Sequence, residues 1–190
     1  MNYQKGLSFG IFLLLIAGFF SCAEKSTGTI ETTPYFDLKG FIEKKVQEVD
    51  SLEVLKRSEI QGEENQVRLI YSIQDWTEEF SIFKDADINK ASMLQSYGTT
   101  KSDDLLAHEL LPKAKGKLKY LKISYYNGEV SGVSIKIAED NLFYSATTLA
   151  EINLNAVTHL IESYSIQTSQ KIWFLEQNNM RIEGTVVVKG

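Results

Sequence analysis

Leu118-Lys-Tyr-Leu-Lys-Ile-Ser-Tyr-Tyr126, then Asn127-Gly128, then Glu129-Val-Ser-Gly-Val-Ser-Ile-Lys-Ile137 is the stretch on which the fold turns. Asn-Gly between two β-prone runs favours a type I′ turn, whose backbone twist matches the strands it joins, so a hairpin is expected here. Gly132, inside the second strand, predicts a bulge or a close backbone approach. Outward from this hairpin the chain reads as β to its end. Asn141 marks a turn before the run Leu142 to Thr148, and the stretches Leu160 to Thr168 and Lys171 to Glu176 are rich in Ile, Tyr, Trp, Phe and Thr. Gln177-Asn178-Asn179 then turns the chain into a terminal strand, Met180 to Val188.

Toward the N terminus the periodicity changes. Thr33-Pro34 has the chemistry of a helix start, and Leu38, Phe41, Ile42, Val46 and Val49 follow at spacings of three and four, with Glu43, Lys44, Gln47 and Glu48 opposite. This predicts a helix over 34–51. Val54 to Ile60 and Val67 to Ile73 flank the polar segment Gln61 to Gln66, which reads as a hairpin with a longer loop. Asp75-Trp76-Thr77-Glu78 has capping-box spacing, and Trp76, Phe80 and Phe83 fall at i, i+4 and i+7, predicting a second helix over 75–84 and a further turn near 87–95. The order of helix, hairpin, helix and then a run of strands is α+β: an N-terminal helix and a second helix packed on an antiparallel, curved sheet.

Composition bounds the function. The chain has 190 residues, 43% hydrophobic and 24% charged, which is one domain of ordinary globular make-up. A formal net charge of −5 speaks against nucleic-acid binding, because neutralising phosphates requires a basic face. A single cysteine excludes an internal disulfide and a Cys-pair zinc site.

That cysteine follows an apolar run, Leu7 to Phe20, preceded by Lys5. Fourteen helical residues would span about 21 Å, short of the roughly 30 Å hydrocarbon core of a bilayer but suited to a secretory signal. The run ends at Phe19-Phe20-Ser21-Cys22 and gives way to polar Ala23-Glu24-Lys25-Ser26. Here the sequence resembles a bacterial lipoprotein precursor, in which cleavage occurs just before a cysteine that then carries diacylglycerol and an amide-linked fatty acid such as palmitate. Ser21 fits the family's motif, while Phe19 and Phe20 depart from its Leu-Ala/Ser pattern. The resemblance implies a signal peptide over 1–21, lipidation at Cys22, a tether over 22–33 and a single domain over 34–190. The absence of aspartate after Cys22 leans, by the same resemblance, toward the outer membrane. Plain secretion with cleavage elsewhere, or a short uncleaved anchor, are the competing readings. The stretches Tyr35 to Gly40, Asp75-Trp76 and Ala86 to Lys90 are also similar to uncharacterised Gram-negative envelope lipoproteins, which supports location and domain extent only.

The search for chemistry is mostly negative. Asp85-Ala86-Asp87-Ile88-Asn89 opens like a calcium loop, but Lys90 stands where glycine is required and Ser96 where a bidentate glutamate belongs. His108-Glu109 lacks the second histidine of a zinc-protease helix, and His159 stands alone. No nucleophile elbow or phosphate loop occurs, so no catalytic residue, metal or cofactor is expected. Lys113, Lys115, Lys117 and Lys119 alternate, which on one strand would give a basic face. The preferred reading is a solvated edge strand guarded by lysines, the other a face for anionic lipid. Tyr125, Tyr126, Phe143, Tyr144, Tyr164, Trp173 and Phe174 are expected mainly to fill the core, or else to line a ligand-holding sheet. The candidate ligand or partner surface is thus Tyr125, Tyr144, Trp173, Lys115, Lys117 and Lys119. The leading expectation is a non-enzymatic, acyl-anchored envelope lipoprotein that binds an envelope protein or plays a structural part. The second is a carrier or sensor of an apolar ligand held between helix and curved sheet. An enzyme built on carboxylates such as Asp75, Glu78 or Glu79 comes third.

Overall fold

The structure, a computed structural model, describes residues 34–187. Ser21, Cys22, the apolar run and the tether through Thr33 lie outside those residues. Among the described residues the order is α1 (Leu38–Glu48), β1 (Glu53–Ile60), β2 (Glu63–Ile70), α2 (Ile73–Glu79), α3 (Ser81–Asp85), a 3-10 turn (Ala91–Met93), β3 (Tyr97–Lys101), β4 (Leu105–Leu110), β5 (Leu118–Tyr126), β6 (Glu129–Asn141), β7 (Tyr144–Leu154), β8 (Ile161–Ile172) and β9 (Asn178–Val187). The fold is mostly β, and its three helices are minor.

All nine strands form one antiparallel sheet in the order β2-β1-β9-β8-β7-β6-β5-β4-β3. Strands β3 to β9 are a simple meander, and the β1–β2 hairpin docks on its last strand. The ladder places Lys56, Gly184, Tyr164, Ile152, Val133, Ile123 and Leu106 in one cross-strand row. Ser58, Ile182, Ile166, Ala150, Ile135, Leu121, His108 and Thr99 form the next row. These rows share one face of the sheet, the inner face, because side chains two apart point the same way. The helices pack there. Leu38 and Ile42 of α1 and its C-cap Val49, with Trp76 of α2, Phe80 at the break and Phe83 of α3, are sealed from solvent and join the core formed by Tyr164, Ile152, Ile135 and Leu121.

The Asn127-Gly128 hairpin is present, with both turn residues at positive φ. A register shift beside Gly132 supplies the bulge, and a Cβ there would lie 3.2 Å from the Ile152 carbonyl oxygen. Other expectations are corrected. Helix α1 is shorter than 34–51 because Asp37, not Thr33, caps it: its carboxylate accepts the Gly40 N–H at 3.0 Å. The capping box belongs to Ser72 and Asp75, so α2 begins earlier than 75, and the helical stretch breaks at Phe80. The expected long loop 61–66 is a two-residue turn, Gln61-Gly62, with both residues at positive φ. Strands β3 and β4 lie in a stretch with no β expectation. Residues 160–176 hold one long strand, β8, rather than two runs.

The lysine series is not a strand face. Lys113, Lys115 and Lys117 belong to the connection before β5, and only Lys119 lies in it. Strand β5 is an interior strand, and the edges are β2 and β3. Of the seven aromatics expected to fill the core, only Tyr164 is fully in it. Tyr125 and Tyr144 are half-buried, and Tyr126, Phe143, Trp173 and Phe174 are exposed.

Candidate functional site

Antiparallel alternation gives the sheet two ends. The turns at 102–104, 127–128 and 155–160 share one end with the starts of β1 and α2. The turns at 61–62, 142–143 and 173–177, and the 111–117 connection, share the other. Along β1, β7, β8 and β9, burial falls away toward this second end. Val54 is sealed but Ile60 is exposed in β1, and Tyr164 is sealed but Gln170 and Ile172 are half-exposed in β8.

Two hairpin tips meet at that end and carry consecutive large apolar residues. Leu142 and Phe143, at the β6–β7 turn, are 89% and 63% exposed, and Trp173, Phe174 and Leu175, after β8, are 72%, 77% and 50% exposed. The tips are joined. The Trp173 N–H donates to the Phe143 carbonyl at 2.9 Å, and the two rings lie 6.3 Å apart. Each turn is also closed on itself. Asn141 accepts the Phe143 N–H at 3.0 Å through its side chain, a local turn-forming bond, and the Lys171 ammonium donates to the Leu175 carbonyl at 2.6 Å. These residues are therefore presented by fixed backbone.

The expected surface is partly assembled here. Tyr144 stands beside Ile172 across the β7–β8 ladder, one position from Trp173. Lys117 reaches the same end and pairs with Glu139 at 2.8 Å, a bond that raises the lysine pKa. Lys115 is exposed on the neighbouring connection, while Lys119 bends back to the Gly116 carbonyl at 2.8 Å. Tyr125 lies at the opposite end and is not part of the cluster. Phe143, Phe174, Leu142 and Leu175 complete the patch. The sequence reading places Leu142 and Phe143 in a strand after Asn141, and Trp173 to Leu175 in the run Lys171 to Glu176, and so misses that they stand on turns.

The titratable groups elsewhere are engaged with one another. Under α2, Glu79 accepts from Lys56 at 2.6 Å, from Tyr71 at 3.2 Å and from Tyr164 at 2.9 Å. Burial alone would lower the Lys56 pKa, but its bonds to Glu79 and Tyr71 outweigh that and raise it. Burial raises both tyrosines, and the Glu79 charge adds to the effect. Asp75, Glu78 and Glu79 do border one hollow of about 270 Å³ with Tyr71. Asp75 is spent on the Ser72 cap, whose hydrogen bonds lower its pKa, and Glu79 on the ion pair. His108 is buried between the N-terminal segment and β3. Its Nε2 accepts the Phe36 N–H at 3.2 Å, which leaves the proton on Nδ1 to donate to Thr99 Oγ1 at 2.9 Å, and burial lowers its pKa. His159 sits in the β7–β8 turn at φ 58° and offers its carbonyl to the buried Lys45. Among the described residues no group of three or more His, Cys, Asp or Glu is placed to hold a metal.

On the outer face, Glu59, Arg181, Gln167 and Leu149 lie in one cross-strand row beside Asn179, Ser169 and Thr147, around a hollow of about 310 Å³. The space between helices and sheet is filled by the sealed rings of Trp76, Phe80 and Phe83, which argues against an apolar ligand carried at that interface. Compared with known proteins, the chain matches no family model, no curated protein and no solved structure.

Proposed function

We propose that this chain is a non-enzymatic cell-envelope lipoprotein, acylated at Cys22 after removal of residues 1–21. Its α+β domain, a curved antiparallel sheet with helices on one face, stands on the tether 22–33 and serves a binding role at the envelope, at the outer membrane by the Ala23 lean. The observation that carries the reading is the apolar run Leu7–Phe20 ending at Ser21-Cys22, where apolar sequence gives way to polar. The structure adds two supports. The ionisable groups nearest to a catalytic arrangement, Lys56, Tyr71, Glu79 and Tyr164, are tied in a mutual network, as expected of structural groups. Five large exposed apolar residues, Leu142, Phe143, Trp173, Phe174 and Leu175, stand together on two joined turns, as expected of a contact surface.

Two or three long acyl chains, at about 0.8 kcal/mol per buried methylene, give an attachment that one chain cannot. The test is the intact mass of membrane-extracted protein from its native host beside a Cys22→Ala form. A chain beginning at Cys22 with added acyl mass supports the proposal. A product cut elsewhere and unchanged by the substitution sinks it.

A further inference from the structure

We propose that the joined hairpin tips, Leu142-Phe143 and Trp173-Phe174-Leu175, dock the domain on a phospholipid bilayer, with the rings at the boundary between headgroups and acyl chains. This deepens the envelope reading and rests on it for the tether alone.

Three observations carry it. First, the patch is surplus to folding. None of its five residues belongs to the buried core or to the layer packed against it, yet all are large and apolar and they lie on adjacent, backbone-bonded turns. Singly exposed apolar residues are ordinary, but a contiguous group marks a contact surface.

Second, its form suits lipid better than protein. The residues cap two projecting turns, whereas a stable protein interface needs about 800 Å² per partner around a packed centre. Trp and Phe favour the membrane–water boundary, where the indole keeps its N–H among headgroups while the ring body leaves water. The charges of this end nearly balance in number, Lys113, Lys115, Lys117 and Lys171 against Glu139, Asp140 and Glu176, and Lys117 is paired with Glu139. Insertion is therefore driven by apolar burial, and a zwitterionic lipid suffices.

Third, the tether permits it. The described chain starts at the β3–β4 edge, where the Tyr35 hydroxyl donates to the Leu94 carbonyl at 2.8 Å and Phe36 bonds to His108. Strand β3 begins at the same end of the sheet as the tips. From β4 to β8 are four strand spacings, about 19 Å at about 4.8 Å each. The segment from Cys22 to Thr33 reaches about 40 Å when extended. The acyl chains proposed at Cys22 and the tips are thus within reach of one bilayer.

The chain's two tryptophans supply the test, since Trp76 is sealed and Trp173 exposed. Full-length protein extracted from membranes is reconstituted in phosphatidylcholine vesicles carrying bromine high or low on the acyl chains. The emission of Trp173 is expected to fall severalfold, more with bromine placed high, and to lose access to aqueous iodide. In the Trp173→Ser, Phe174→Ser variant the remaining Trp76 emission should be indifferent to bromine, with thermal unfolding unchanged. Adding phosphatidylglycerol should alter the quenching by no more than about twofold, because this end carries little net charge. Iodide access to Trp173 that is the same with and without vesicles overturns the proposal. So does shielding of Trp173 by self-association or by a co-purifying protein without lipid. The intact mass separates the two readings: acylated protein with a solvated Trp173 keeps the anchor and removes the docking, and unacylated protein with a quenched Trp173 does the reverse.

Discussion

Replacing Gly184 by alanine should be among the costly single changes in this sheet, and the cost should vanish when its neighbour is changed. Gly184 lies on the inner face of β9, between Lys56 of β1 and Tyr164 of β8. The Tyr164 ring lies over it, an aromatic covering a strand glycine. From there the hydroxyl donates to Glu79 at 2.9 Å, and the ring meets Phe80 and Trp76 edge-on at 5.1 and 6.0 Å. A Cβ at 184 would come 2.6 Å from the Tyr164 hydroxyl oxygen and closer still to the ring carbons, so the ring must move. Loss of a hydrogen bond to a carboxylate costs about 1.5–3 kcal/mol. Repacking an overfilled core costs about 1–3 kcal/mol. Removing a strand glycine returns about 0.5–1 kcal/mol. The expected net loss is about 2–5 kcal/mol, a large part of a typical domain's stability. In a Tyr164→Leu background the distal ring atoms that meet residue 184 are gone, so the same substitution should be neutral or stabilise by about 0.5–1 kcal/mol. Urea unfolding of the four proteins, followed by far-ultraviolet circular dichroism, gives the coupling energy directly. Equal costs in the two backgrounds would refute the reasoning, because they would place the strain in the backbone rather than under the ring.

Two predictions concern pH. Burial holds the His108 pKa below its usual value near 6.5, so on acidification the unfolded chain takes up the proton first. Stability from this site is fully present above about pH 6.5 and is lost below it, by up to about 1.4 kcal/mol per pH unit. His108→Gln, which retains an acceptor for Phe36 but does not titrate, should flatten that slope in urea unfolding between pH 7.5 and 5, and an unchanged slope would count against the role given to His108. At the alkaline side the sign reverses. Lys56, Tyr71 and Tyr164 all have raised pKa values, so the native state keeps protons that the unfolded chain releases near pH 10. Their contribution is complete below pH 10 and is lost above it. Glu79→Gln should cost about 2–4 kcal/mol at pH 7, since it leaves the Lys56 charge half-buried and unpaired, and should weaken the alkaline loss. A variant as stable as the parent at pH 7 would show the network to be idle.

The parts of this fold that were legible are those where a local signal and the tertiary environment agree. Asn127-Gly128 supplies both positive-φ residues a type I′ turn demands, and its strands alternate because one face is buried. The Leu38, Ile42, Val46 stripe likewise announces the face of α1 that packs. Where the environment gives no pattern, the reading failed. Every residue of β2 is exposed, so no alternation distinguishes Glu63 to Gln66 from a loop, and Gln61 at φ 54° is an uncommon partner for Gly62. Strands β3 and β4 form the opposite margin, and Thr99, Thr100 and Lys101 are exposed. The tip residues were misplaced for the converse reason. Trp173 and Phe174 look like core residues by type, and only the length of β8 carries them beyond the part of the sheet the helices cover.

The two tryptophans locate the remaining question. Trp76 is fully enclosed, donates its indole N–H to the Val49 carbonyl at 2.9 Å, and is explained by folding alone. Trp173 is joined to the same sheet by a backbone bond, yet most of its surface stays in water. Other exposed apolar residues, such as Val67, Leu69 and Ile70 of β2, stand among charges. The edge strand β2 carries Glu63, Glu64 and Arg68, charges that deter pairing with another sheet. At the hairpin tips no such guard is set among Leu142, Phe143, Trp173, Phe174 and Leu175, although a turn accepts polar residues more readily than a strand does. Solvated rings on a free tip add nothing to stability and invite association. Their presence on turns held in place by Asn141 and Lys171 is accounted for by a surface that covers them in use. Under the proposed acyl anchor at Cys22, a bilayer would be the surface within reach of the tether.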